Sequence, residues 1–184
     1  MRIIAGQWRG RALQAPPGNT TRPTADRARQ ALFDMLMHAP WSDGISGASV
    51  LDVFAGTGAL GLEALSRGAV TACFIEQDRA ALTTLRSNIA ACRAESMCRV
   101  IEADACRLPR QSSVGNACRL VFLDPPYGRD LVPLAVASLQ SQAWFAPGAI
   151  IVAETGRGET LPVTGVHLAS RVHGAAQWII WRAT

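Results

Sequence analysis

The run Val121-Phe122-Leu123-Asp124-Pro125-Pro126-Tyr127 joins an apolar segment to a carboxylate, two imino acids and an aromatic ring. Proline at 125 and 126 denies helical geometry to the residue before each, so the sequence predicts a buried strand that stops at a stiff corner. The chemistry such a corner suits is attack by an exocyclic base amine on an electrophilic methyl group. The amine lone pair is delocalised into its ring, and acceptors that hold the N–H groups turn it toward the methyl. Asp124 and the carbonyl of Pro125 supply two acceptors. Tyr127 offers a flat face on which a flipped-out base can stack. The plain alternative is a strand followed by a proline-rich turn, and the decision rests on what lies upstream.

Upstream, Gly56-Thr57-Gly58-Ala59-Leu60-Gly61 reads G-x-G-x-x-G between a predicted strand and a predicted helix. Glycines there let backbone approach a ligand and let the helix pack on the sheet. Alone, the pattern is shared with dinucleotide binders. Asp52 distinguishes it, because an acid inside the apolar strand can meet an ammonium, which S-adenosylmethionine carries and NAD lacks. Glu76, ending the following strand, can accept from both ribose hydroxyls. Asp104, within Glu102-Ala103-Asp104-Ala105, sits after a third strand, where it can accept from an adenine amine. Each acid taken singly could instead be a helix cap or a surface charge. Together they line the carboxyl edge of one sheet, where such sheets bind ligands.

Charge supplies a third signal. All 18 basic residues are arginine, and the net charge is +4. Residues 1–37 hold six arginines (Arg2, Arg9, Arg11, Arg22, Arg27, Arg29) against Asp26 and Asp34, while 12 arginines balance 12 acids in the remainder. The whole excess sits in the N-terminal fifth, as expected for a segment that grips a polyanion, with a solvated charged face as the competing explanation. Trp8 among these arginines suits either base stacking or ordinary packing.

The elements that would position these residues follow from periodicity. Residues 2–14 read as a short hairpin. Thr24 is placed to cap a helix over 25–38 with its stripe at Ala28, Ala31, Leu32, Met35 and Leu36. Arg22, Arg27 and Arg29 fall before that stripe or off it, free to face a ligand. Strands are expected at 49–54, 70–76, 98–102, 119–123 and 149–153. Helices are expected at 59–67, after Asp78 as a cap, and at 131–141, with a weaker turn near 105–109. This alternation implies βαβ units and a mostly parallel sheet covered on both faces. Segments 166–172 and 177–182 read as an antiparallel pair at the end.

The 184 residues fit one domain over 1–184, with 1–40 as a basic extension within it. No apolar run reaches the roughly 18 residues of a membrane span and no signal peptide is visible, so a cytoplasmic protein is expected. Five cysteines without a C-x-x-C pair and three scattered histidines indicate neither a disulfide framework nor a metal site.

The combination of Val50-Leu51-Asp52-Val53-Phe54-Ala55-Gly56-Thr57-Gly58 with Asp124-Pro125-Pro126-Tyr127 resembles class I S-adenosylmethionine-dependent amino-methyltransferases, whose fold is Rossmann-like. More narrowly, Arg2-Ile3-Ile4-Ala5-Gly6-Gln7-Trp8-Arg9-Gly10-Arg11, Arg22-Pro23-Thr24-Ala25-Asp26-Arg27-Ala28-Arg29 and the stretch Gly58 to Gly68 resemble the RsmD-type family of bacterial 16S rRNA guanine-N2 methyltransferases. Gln30 and Asp34 depart from that pattern, where Glu and Asn are expected. The resemblance implies methyl transfer to a guanine N2, at family position guanine 966 in conventional rRNA numbering, in an assembling small ribosomal subunit. It implies that Asp52, Phe54, Gly56, Gly58, Glu76, Asp104 and Ala105 hold S-adenosyl-L-methionine. Asp124, Pro125 and Tyr127 would hold the base, and Arg9, Arg11, Arg22, Arg27 and Arg29 the RNA. Glu154 falls nearby by topology without an assigned role. The corner serves an adenine N6 equally well, so an adenine methyltransferase on DNA or RNA stays open. So does a non-catalytic RNA-binding module, whose signature would be a broken glycine loop or a lost acid.

Overall fold

The protein is described from a computed structural model covering residues 1–15, 23–111, 117–126 and 130–184, without the side chains of 23–25. Arg22 and Tyr127 lie outside the described residues. The chain runs α1 (Pro23–His38), β1 (Ser49–Val53), α2 (Ala59–Ser66), β2 (Thr71–Glu76), α3 (Arg79–Cys92), a 3-10 turn (Glu95–Met97), β3 (Cys98–Glu102), β4 (Cys118–Leu123), α4 (Leu131–Ser141), β5 (Phe145–Gly156), β6 (Gly165–His173) and β7 (Ala176–Ala183).

The strands form one seven-stranded sheet in the order β3-β2-β1-β4-β5-β7-β6. The first five are parallel, and β7 pairs antiparallel with both β5 and β6. Because strand residues alternate between faces, the sheet separates two apolar layers. Val50, Phe74 and Phe122 face Leu32 and Phe33 of α1, Leu62 and Leu65 of α2 and Leu85 of α3. Leu51, Val121 and Ile151 face Val132, Ala135 and Leu139 of α4. β5 extends well beyond the expected 149–153, since it pairs along Ile150–Gly156 with β7 while also pairing with β4.

Two expectations are refined at the N-terminus. The short hairpin over 2–14 is present, with Arg2 and Ala12 as its bridge pair, Ile3 N donating to the Arg11 carbonyl at 2.9 Å, Gly10 N to the Ile3 carbonyl at 2.9 Å and Leu13 N to the Met1 carbonyl at 3.0 Å. Other amides of the segment turn to the body: Ile4 N and Ala5 N donate to the two oxygens of Glu63 at 2.7 and 3.0 Å. Gln7 N donates to the Ser66 carbonyl at 2.8 Å and Trp8 N to Ser66 Oγ at 3.0 Å. A β-carbon on Gly6 (φ 81°) would lie 1.8 Å from the Ser66 carbonyl oxygen, so only glycine allows this close docking. Trp8 is half-buried against the core, the packing role of the two considered for it. The second change is that α1 begins at Pro23 rather than after Thr24; proline is favoured in a first turn because its missing N–H would be unpaired there anyway.

Glu63 is fully buried at 0% exposure, and it is the hub of this docking. Arg67 Nε donates to it at 2.7 Å, and Arg29 Nε approaches at 3.9 Å. Arg29 is therefore a correction to the expected RNA-binding set. Its residue is 7% exposed, and its guanidinium donates to the Arg2 carbonyl at 2.7 Å and to Asp26 Oδ1 at 3.0 Å. A buried carboxylate needs a buried counter-charge, and Arg29 is one of the two that supply it.

Candidate active site

The parallel strands bring their carboxyl ends to one edge, and the sequence-predicted acids collect there because each lies at or just past a strand end. Register fixes the order: Val53 of β1 pairs with Ile75 of β2 and Leu123 of β4, Glu76 pairs with Glu102 of β3, and Leu123 pairs with Ala153 of β5.

The loop leaving β1 is shaped by positive φ angles at Phe54 (61°), Gly56 (55°) and Gly58 (76°). A β-carbon on Gly58 would come within 2.4 Å of Leu85 Cδ1, and one on Gly61 within 2.4 Å of Phe74 Cε1. These two glycines let α2 sit against the sheet and α3, which is the packing role expected of such a motif. Phe54 is half-buried against the α4-side layer.

Asp52 lies inside the apolar strand β1, as the sequence reading has it. It is 2% exposed, beneath the loop, and its Oδ2 accepts from Gly61 N at 2.8 Å, tying the strand to the first turn of α2. Burial pushes its carboxyl up to about 8; the Gly61 N–H opposes this, and the charges of Asp124 and Glu76 add to the rise. An acid that binds its proton more tightly when folded loses stability as pH rises from its unfolded value to its folded one, here from 3.8 to about 8. The ligand-free protein is therefore expected to show a melting temperature that Asp52 lowers progressively across that window. Asp52→Asn should reduce the decline relative to wild type in a thermal-melt series, and parallel curves would contradict this.

Glu76 is fixed before any ligand arrives. Its Oε2 accepts from Gly56 N and its Oε1 from Gln77 N and Asp78 N, each at 2.8 Å. A carboxylate has about four acceptor directions, so capacity for a hydroxyl remains. Asp78 caps α3 as expected, accepting from Ala81 N at 2.8 Å. Asp104 Oδ1 accepts from Cys106 N at 2.9 Å, which ties the carboxylate to the turn after β3. The Ala105 side chain is buried in the α4-side layer, so only its backbone is available to a ligand.

Asp124 follows β4 directly beside the glycine loop, its N–H donating to the Val53 carbonyl at 3.4 Å. Pro125 is buried and Pro126 exposed, so the corner is anchored on one side. Desolvation by the surrounding protein, and after it the charge of Glu154, raise the Asp124 pKa. Negative charge is thus disfavoured at both Asp52 and Asp124, and a cation bound nearby would favour it.

Sequence reasoning missed the buried Glu63 with Arg67, and it missed Asn88. This fully buried asparagine accepts from Gln14 N at 2.7 Å and donates to the Gln14 and Thr57 carbonyls at 3.1 and 2.9 Å, joining the N-terminal segment to the glycine loop. The available signal was polarity inside apolar stripes: Glu63 between Leu62 and Ala64, and Asn88 beside Ile89.

Among the described residues no group of three or more His, Cys, Asp and Glu is arranged to hold a metal ion, and no helix is long and apolar enough to cross a membrane. Burial pushes the thiols of Cys73, Cys98 and Cys118 up to about 11, 12 and 12, which keeps them protonated.

A glycine loop after β1, acids at successive strand ends and a β7 inserted antiparallel between β5 and β6 define the class I methyltransferase fold. Within that class, the chain belongs to the family described as Conserved hypothetical protein 95, whose profile matches residues 1–180. It is similar to Ribosomal RNA small subunit methyltransferase D of Escherichia coli strain K12, 43% identical over 162 residues, which cover 88% of this chain and 78% of that one. The protein of the same name from Haemophilus influenzae is 37% identical over 162 residues, with 88% and 81% covered. The solved structure of yhhF from Escherichia coli is 38% identical with a TM-score of 0.81, covering 100% of this chain and 97% of that one.

Proposed function

We propose that this chain transfers the methyl group of S-adenosylmethionine to the exocyclic N2 of a guanine in 16S rRNA, acting on an assembling small ribosomal subunit. The observation that carries the reading is the placement of the Asp124-Pro125-Pro126 corner directly beside the glycine loop, in a chain similar to proteins named as small-subunit rRNA methyltransferases. The cofactor supplies an electrophilic methyl on a sulfonium. Glu76 accepts from a ribose hydroxyl with its remaining capacity, Asp104 accepts from the adenine amine, and Gly56 and Gly58 admit the ligand to the backbone. Asp52 acts from beneath, holding the loop and adding negative potential under the cofactor's ammonium. Asp124 and the Pro125 carbonyl hold the target N–H groups so that the lone pair points at the methyl, the kind of preorganised polar contact that lowers barriers most effectively. The base stacking assigned to Tyr127 is part of this proposal.

The RNA is gripped by the basic N-terminal segment, with its membership revised. Arg9 and Arg27 are exposed and make no side-chain hydrogen bond or ion pair among the described residues. Arg11 is partly engaged, donating to the Ala91 carbonyl in the last turn of α3. Arg29 is committed to the interior. Replacing Arg9 and Arg27 by Gln is therefore expected to weaken RNA binding and to flatten the slope of log affinity against log salt by about 1.5 in total, roughly 0.7 to 0.9 per phosphate contact. Arg29→Gln should instead lower the melting temperature. An unchanged slope in the double variant would place the RNA elsewhere.

The functional reading is tested by incubating the protein with methyl-labelled cofactor and either naked 16S rRNA or incompletely assembled small subunits. Label should enter the RNA of the particles. Absence of transfer to either would favour a non-catalytic RNA-binding role and overturn the proposal.

A further inference from the structure

The N-terminal hairpin docks away from the Asp124 corner. Its contacts run to the far ends of α2 and α3: Gln7 N donates to the Ser66 carbonyl and Arg11 to that of Ala91. Helices that cross between parallel strands run back toward the strands' amino ends, so a phosphate held there leaves the target nucleotide itself unfixed. Phosphate contacts set the register of a nucleic acid on a protein, and a base presented to the corner needs such contacts close by. Two cations at the other end of the sheet, Arg157 and Arg171, have no part in the reading above.

Register places Arg171 level with the corner. Leu123 and Ala153 are partners, so Asp124 and Glu154 follow them side by side, and Glu154 pairs with Trp178 of β7, which pairs with Arg171 of β6. Directly opposed residues project to one face, so Arg171 stands on the α1-side face that holds Trp178. Three strand spacings of about 4.8 Å separate it from the level of Asp124. Arg157 follows β5 at the same edge, and its N–H donates to the Ala175 carbonyl at 2.9 Å, which ties it to the β6–β7 turn. That turn is stiffened by the Trp178 indole, whose Nε1 donates to Glu154 Oε2 at 3.0 Å and on which the His173 ring stacks with centroids 3.8 Å apart. Arg157 and Arg171 are both exposed, and neither side chain makes a hydrogen bond or ion pair among the described residues. The one acid of the loop after β5, Glu159, lies against Gly156 and pairs with neither.

Exposed guanidinium groups on a stiff hairpin have the fork geometry that suits phosphate. We propose that Arg157 and Arg171 form a second RNA grip, which holds phosphates next to the target nucleotide on the side of the Asp124 corner opposite the N-terminal segment. The inference rests on the reading in which this corner takes an rRNA base. β4 stands between the β1–β3 half of the sheet, whose helices carry the N-terminal segment, and the β5–β7 half. RNA crossing the carboxyl edge is therefore held on either side of the base it presents. Extruding a base costs stacking energy, and phosphates fixed on both flanks keep the extruded nucleotide in place while the amine reacts.

The test is the salt dependence of binding to 16S rRNA. Arg157→Gln combined with Arg171→Gln should weaken binding by about tenfold or more and flatten the slope of log affinity against log salt by about 1.5. Affinity for the demethylated cofactor, measured by calorimetry, should stay at its wild-type value. Adding Arg9→Gln and Arg27→Gln should bring the flattening to about 3, since separate contacts add. Arg99 and Arg119, the second residues of β3 and β4, are exposed toward the amino ends of the strands. Replacing that pair by Gln removes the same charge and should leave the slope near wild type. An unmoved slope in the Arg157, Arg171 variant, or an equal flattening in the Arg99, Arg119 variant, would overturn the proposal. Methyl transfer by wild type separates the two levels: no transfer to 16S rRNA or to incompletely assembled subunits would sink the functional reading itself. An active wild type alongside an unmoved slope in the Arg157, Arg171 variant would sink only the second grip.

Discussion

Asp124→Ala is expected to lower methyl transfer by about two to four orders of magnitude while leaving cofactor affinity close to wild type. The selectivity follows from position. Asp124 lies beyond the end of β4, two strands away from Glu76 and its contacts to the glycine loop, and its own backbone N–H remains to hold the corner to Val53. The variant removes an acceptor that matters when the amine attacks, so kcat should fall rather than cofactor affinity. Removing one carboxylate also relieves Asp52 of a neighbouring negative charge, so the melting temperature should not drop. Calorimetric titration with the demethylated cofactor beside a single-turnover assay would check both halves. Near-wild-type turnover would remove Asp124 from the chemistry.

The second large effect is on stability. Glu63→Ala would strip the buried guanidinium groups of Arg29 and Arg67 of their shared counter-charge and leave the Ile4 and Ala5 amides without acceptors. Breaking a buried ion pair by removing one partner costs about 3 to 5 kcal/mol, a large part of the roughly 5 to 15 kcal/mol that holds a domain folded. Denaturant unfolding should show that loss. Limited proteolysis should show the N-terminal segment, no longer docked on α2, becoming cleavable under conditions in which wild type resists. A loss below about 1 kcal/mol would mean that the network re-pairs without Glu63.

The two predictions differ in how visible their residues were beforehand. Asp124, Glu76 and Asp104 were legible because each follows an apolar strand, and parallel strands of one sheet necessarily gather their carboxyl ends. Helices such as α4, whose observed span equals the expected 131–141, were legible from apolar periodicity. Glu63 and Arg29 were not, because their meaning depends on a pairing between α1 and α2 that no local pattern encodes. Arg29 read as a solvent-facing cation from its place off the apolar stripe. A buried counter-charge occupies the same kind of position, and only the tertiary contact separates the two. The N-terminal hairpin was legible in part: Ile3 pairs across the turn with Arg11 and Gly10, as its strand character suggests, while the Ile4 and Ala5 amides go to the Glu63 carboxylate, a long-range contact that no local pattern encodes. Asp52 shows the converse, a residue whose type suggested a ligand contact and whose burial gives it the task of fixing the loop.

The account turns on which amine the Asp124 corner presents to the methyl group. Small subunits lacking the modification would be incubated with the protein and methyl-labelled S-adenosylmethionine, the RNA digested to nucleosides, and the labelled product identified chromatographically and by mass. The account predicts label in N2-methylguanosine, absent from the Asp124→Ala reaction. Label in N6-methyladenosine, or in a product that Asp124→Ala forms as fast as wild type, would contradict it.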